Sequence, residues 1–108
     1  MAHYLVTAKP DEARMAELRK RLKSGEIKKM EPFGESLHYS LEHARLQKDG
    51  IAIWEEEDYC RPPLAQERAA ILDEYFTGLD VQRVDEGSGW DKIEELQGMF
   101  ETLLGGKR

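Results

Sequence analysis

Residues 51–76 read IAIWEEEDYCRPPLAQERAAILDEYF: a short apolar run, four consecutive acids, then Tyr-Cys-Arg-Pro-Pro and an amphipathic stretch. A strand that ends on charge and meets a helix start within a few residues leaves few arrangements. Its apolar residues must face a core, and the helix must fold back to cover them. Pro62 and Pro63 restrict the backbone and suit the first helical positions, and Glu67 lies in or near the first turn. Leu64, Ile71, Leu72, Tyr75, Phe76 and Leu79 then follow helical spacing to a stop near Thr77-Gly78.

The preceding chain supplies what this unit packs against. Residues 3–8 (HYLVTA) read as a first strand, stopped by Lys9-Pro10. Asp11 and Glu12 open a helix in which Met15, Leu18 and Leu22 form an apolar stripe, and Ser24-Gly25 ends it, with Gly25 free to take a left-handed cap. Residues 26–35 form a long connection, and Ile27, Met30 and Phe33 either tuck it onto the core or make it a lid. In 37–46 (LHYSLEHARL), Leu37, Tyr39, Leu41 and His43 alternate with His38, Ser40, Glu42 and Ala44, the pattern of a half-buried strand. Asp49-Gly50 turns the chain into a second hairpin arm at 51–57. A loop of odd length aligns the aliphatic residues of both arms and sets Trp54 beside His38, Ser40 and Glu42, facing away from the helices.

A short strand follows at 80–85. Gly87-Ser88-Gly89 breaks the chain, and Ser88 with Asp91 resembles a capping box opening WDKIEELQGMFETLL. Ile93, Leu96, Met99, Phe100, Leu103 and Leu104 give that last helix an apolar stripe, weakened at Gly98.

The order strand, helix, strand, strand, helix, strand predicts an α+β fold, the ferredoxin-like βαββαβ plait: a four-stranded antiparallel sheet, two helices on one face, and an appended C-terminal helix. Residues 1–86 form the ferredoxin-like part, and 87–108 are the appended helix of the same single domain. Such a plait leaves one sheet face open, here carrying Trp54 and His38, which predicts a homodimer through that face.

The HYLV start, the Gly25-Glu26-Ile27 and Glu31-Pro32-Phe33-Gly34 segments, and the element order over 3–85 resemble the small dimeric α+β-barrel proteins, including YciI-like ones. The resemblance implies the fold and a tendency to dimerise. The YciI-like pattern includes a histidine in the first helix, whereas PDEARMAELRKRLKSG has none, so no catalytic residue is implied.

Net charge is -6, with ten basic residues against eight acids in 1–50 and six against fourteen in 51–108. That balance argues against a nucleic-acid partner, which needs a basic stripe. The start lacks a basic, apolar leader and no run reaches the length of a membrane span, so neither export nor a membrane partner is expected. Cys60 is the single cysteine. It excludes an internal disulfide and a four-cysteine zinc site and fits a cytoplasmic protein.

Catalytic residues are not identified by any motif, and no cofactor is implied. Glu55 and Glu57 share one strand face, Glu56 and Asp58 the other, and all four read as a solvated strand end. A straight strand does not converge oxygens on a cation, so no metal is expected. His38 is the better histidine for proton transfer, with Glu42 beside it. At Cys60 the helix start and Arg61 lower the thiol pKa while the acids raise it. The candidate ligand-binding residues are His38, Trp54, Glu56, Asp58, Tyr59 and Arg61, at the rim where the sheet end meets the helix start. Two roles are open: a homodimeric binding or accessory domain for a small molecule, or a small enzyme acting on a polar or carbonyl compound through His38 and a carboxylate.

Overall fold

Residues 2–105 are described by a computed structural model. Its two longest strands, β1 (Ala2–Pro10) and β4 (Phe76–Val84), lie antiparallel, and β3 (Ala52–Asp58) pairs with the other side of β1. Two-residue strands β2 (Arg45–Leu46) and β5 (Gln97–Gly98) extend the sheet to the order β4-β1-β3-β2-β5, antiparallel throughout. The fold is α+β, with five strands where four were expected.

Register divides the sheet into two faces. Val6 stands opposite both Trp54 and Val81, and Ala8 opposite Ala52. This face meets Met15, Leu18 and Leu22 of α1 (Met15–Ser24), Leu37 and Leu41 of α2 (Gly34–Glu42), and Met99 and Phe100 of α6 (Met99–Leu103) in one core. The helix after β3 contributes Ile71, Leu72 and Tyr75. It runs as α3 (Ala65–Glu67), a π-helical stretch Arg68–Leu72 and α4 (Asp73–Tyr75). The other face carries Leu5 beside Glu55 and is partly covered by α5 (Ser88–Ile93). A Cβ on Gly89 of that helix would stand 3.1 Å from Leu5 Cδ1 and 3.2 Å from Glu55 Cβ.

Several expectations hold. The stripe of α1 is buried, and Gly25 closes that helix at φ 84°. The β2–β3 connection spans five residues, an odd number, with Ile51 N–H on Asp49 Oδ1 and Gly50 at φ 87°. Ile27, buried, and Met30 and Phe33, half-buried, tuck the connection between α1 and α2 against the core.

Others are corrected. Residues 37–46 are mostly helix, because Leu37, Leu41 and Ala44 at i, i+4 and i+7 form the buried stripe, while Tyr39 and His43 stack outside with centroids 4.1 Å apart. Both periodicities were present, and the helical one buries more. Gly34 admits the turn that seats this helix, since a Cβ there would lie 2.5 and 2.6 Å from the Ile27 and Lys28 carbonyl oxygens.

Trp54 does not face an open sheet surface. It is fully buried, its ring 5.2 Å from that of Phe76, because the core lies on its side of β3. The expected homodimer contact through Trp54 is therefore not available on that face. The expected C-terminal helix is two helices, α5 and α6, split where Gln97 and Gly98 pair with Leu46 and Arg45. The helix after β3 stops at Tyr75 rather than near Gly78, and β4 begins at once, so the last long strand has nine residues instead of six.

β2 pairs with β3 only at Ala52 and Ile53, leaving the Glu55 end of that edge without a strand. The helix α2 lies there, and Ser40 Oγ donates to the Glu55 backbone carbonyl at 2.7 Å. A carbonyl that would otherwise lack its ladder partner is thereby satisfied.

Candidate functional site

Strand β3 carries its acids to both faces, and each pair meets a different environment. On the α5 face the Glu55 carboxylate is buried and accepts three backbone N–H groups: Gly87 at 2.8 Å, Gly89 at 2.7 Å and Trp90 at 3.2 Å. These are the donors that a helix start leaves without intrahelical partners. Glycine at the N-cap, Gly87, offers no side chain to take them, so a residue 32 positions earlier does. The expected capping by Ser88 is absent; its hydroxyl donates back to the Asp85 carbonyl. His3 Nδ1 stands 3.5 Å from Glu55 on the same side.

This knot forms the floor of a cleft of about 380 Å³. Glu35, Glu57 and Glu86 bring further carboxylates to it, and Tyr39 and Trp90 supply aromatic surface. The two rings meet edge to face at 6.0 Å, and Tyr39 is more than half exposed.

On the core side lies a second acidic group. Glu56 is buried and its Oε1 accepts Trp54 Nε1–H at 2.9 Å; its Oε2 has no hydrogen-bond partner. Glu67 comes from α3 with its side chain fully buried and neither carboxylate oxygen partnered. Asp58 Oδ2 accepts the backbone N–H groups of Cys60 at 3.0 Å and Leu64 at 2.6 Å, which fixes the loop into the helix. One ligand atom from each of Asp58, Cys60 and Glu67 lies within 4.8 Å of the others.

The environment separates their acidities. Burial, then contact with Asp58, pushes Glu67 up to about 7. Burial also holds Glu56 well above the usual carboxylate range, against the Trp54 hydrogen bond. For Asp58 burial acts upward, but the Leu64 N–H, Glu67 and the Cys60 N–H outweigh it and the net shift is downward. At Cys60 the Gln66 N–H acts downward, and burial with the charges of Asp58 and Glu67 raises the thiol overall. Carboxyls with such different proton affinities in contact can hold a proton or a cation between them.

The sequence-derived candidates divide between several places. Asp58, Tyr59 and Arg61 line one cleft of about 290 Å³ with Cys60 and Arg83. Trp54 and Glu56 are buried and do not line it. His38 stands apart on α2, its Nε2 3.9 Å from Glu42 within the same helix and its Nδ1 buried without a partner. His38 thus has Glu42 beside it, as expected, and lines neither the cleft over α5 nor the one at Asp58.

Two residues escaped the sequence reading. Glu55 was assigned to solvent, because its partners at 87–90 are remote in the chain. Glu67 reads as a residue in or near the first helical turn, yet it sits at i+3 between Leu64 and Ile71, on the apolar stripe, and is buried. That position was a visible signal of burial. Comparison with family models, curated proteins and solved structures gives no significant match. Geometry alone carries the reading of these sites.

Proposed function

We propose that the chain is a binding domain for a small organic cation, taken up in the cleft between α2, the start of α5 and the β3 end. One observation carries this reading: Glu35, Glu57 and Glu86 share that cleft with the aromatic side chains of Tyr39 and Trp90. Carboxylates attract an ammonium or guanidinium group, and aromatic faces bind it through their quadrupoles, about 0.5–2 kcal/mol each. The volume, about 380 Å³, suits a molecule of small-metabolite size.

The scaffold in this proposal is an extended ferredoxin-like plait. Its support is the order β4-β1-β3-β2 in the sheet, with helical crossovers after β1 and β3 and with β5 added beyond β2. A free, half-buried Cys60 suits a reducing cytoplasm, the location that goes with this reading.

Titration with choline, followed by isothermal calorimetry and Trp90 fluorescence, is expected to saturate at one equivalent and to weaken as salt is added. Glu57→Gln and Tyr39→Ala should each reduce affinity about tenfold, on the order of 1.4 kcal/mol. Equal binding of 3,3-dimethylbutanol, the uncharged isostere, would show that charge is not what the cleft reads.

A further inference from the structure

We propose that Asp58, Cys60 and Glu67 form a binding site for one divalent transition-metal ion, with Zn²⁺ the best match and Glu56 as an outer partner. This site is distinct from the acidic cleft over α5, and neither depends on the other.

The three residues reach one point from three local structures. Asp58 ends β3, Cys60 lies in the loop, and Glu67 is in the first turn of α3. Their ligand atoms within 4.8 Å of one another need only modest closure to meet an ion at about 2.0–2.3 Å. The donor set decides the class of ion. Ca²⁺ and Mg²⁺ select oxygen ligands alone, whereas a thiolate beside two carboxylates suits Zn²⁺ or Co²⁺.

A separate observation is that Glu67 meets neighbouring carboxyls, Asp58 and Glu56, and, among the described residues, no base. Glu67 is fully buried with both oxygens unpaired, and Glu56 Oε2 is buried and unpaired beside it. Among the described residues no ion pair joins Glu56, Asp58 or Glu67 to a base, although three carboxylates converge there. Buried carboxyls crowded together either keep their protons or take up a cation. A divalent cation neutralises them and also occupies the free lone pairs.

Orientation and access are also provided. Asp58 is held by two backbone N–H groups and Glu56 by the Trp54 indole, the kind of outer support that metal ligands use. Asp58 and Cys60 line a cleft of about 290 Å³ that opens to solvent, which supplies an entry path and room for a water as fourth ligand.

The test is titration of the tag-free, reduced full chain with Co²⁺ followed by absorption, then displacement by Zn²⁺ followed by calorimetry. One equivalent of Co²⁺ should bind with a thiolate-to-cobalt charge-transfer band in the near ultraviolet, and Zn²⁺ should abolish the band. Cys60→Ser should remove the band while circular dichroism stays unchanged. Glu67→Gln, which keeps the side-chain shape, should weaken Zn²⁺ binding roughly tenfold or more. Absence of a saturable equivalent, a band that persists in Cys60→Ser, or unchanged Zn²⁺ affinity in Glu67→Gln each overturns the site. In that event a shared proton, not a metal, balances the carboxylates.

Discussion

Glu55→Ala is expected to destabilise the protein by about 3–5 kcal/mol, the largest effect of any single substitution considered. The carboxylate accepts hydrogen bonds from the N–H groups of Gly87, Gly89 and Trp90. Hydrogen bonds to a charged acceptor are each worth about 1.5–3 kcal/mol, and a buried donor left unpaired costs about 1–3. Simple addition overshoots, because the neighbouring cleft lets water reach part of the exposed helix end. Gly87 cannot replace the lost cap, having no side chain.

Glu55→Gln retains one carbonyl oxygen and should lose about half as much. Urea unfolding at constant m-value measures both, and amide exchange gives the local signature: Gly89 and Trp90 should exchange faster in Glu55→Ala than amides of α1. A variant within 1 kcal/mol of the parent would mean that α5 does not depend on this carboxylate.

Stability is expected to fall as pH rises from about 4.5 to about 7, opposite to the trend set by carboxylates that are paired in the folded state. Glu67, with an ordinary value of 4.5, is pushed up to about 7 in the folded chain. Below the unfolded value both states hold the proton, and nothing is lost. Between the two values the folded state retains a proton that the unfolded state has released, so each rise in pH favours unfolding. Above about 7 both are ionised and the whole cost remains, on the order of 3 kcal/mol.

Glu56, also raised by burial, adds in the same direction; Glu56 and Glu67 are in contact, so the slope belongs to the pair. Asp58 is shifted downward, and its contribution is lost as pH falls through its folded value, so greatest stability should lie in mildly acid solution. Metal-free Glu67→Gln should flatten the descending limb and gain about 2–3 kcal/mol at pH 8, read from denaturation midpoints across pH. A limb as steep as that of the parent would remove Glu67 from the explanation.

Local signals were legible wherever one neighbour decided the outcome. The α1 stripe, its glycine stop, the Asp49-Gly50 turn and the helix after Pro63 all follow from spacing and backbone preference within a few residues. The alternation of acids in β3 was also readable, and Glu55 and Glu56 do point to opposite faces. What each face meets was not. A strand end adjacent to charge looked solvated, but the start of α5 closes over Glu55, and the core side encloses Glu56 with Glu67.

Residues 37–46 satisfied two periods at once. Only the rest of the fold, which places Leu37, Leu41 and Ala44 against the core, selects the helix. Trp54 follows from that choice: with a helix in place of the hairpin partner, the core lies on the indole side of β3. The candidate site was legible as a region, since Asp58, Tyr59 and Arg61 do share a cleft with Cys60. Its chemistry was not, because it depends on Glu67, whose place on an apolar stripe was the overlooked clue.

The hydroxyl of Ser40 has a further role in the history of the chain. Before α2 docks, the outer edge of β3 beyond Ile53 is an unpaired row of peptide groups beside Trp54, an open template for a strand from another molecule. Seating the Ser40 side chain on the Glu55 carbonyl occupies that template. In the folded chain α2 thus covers a strand edge as well as the core.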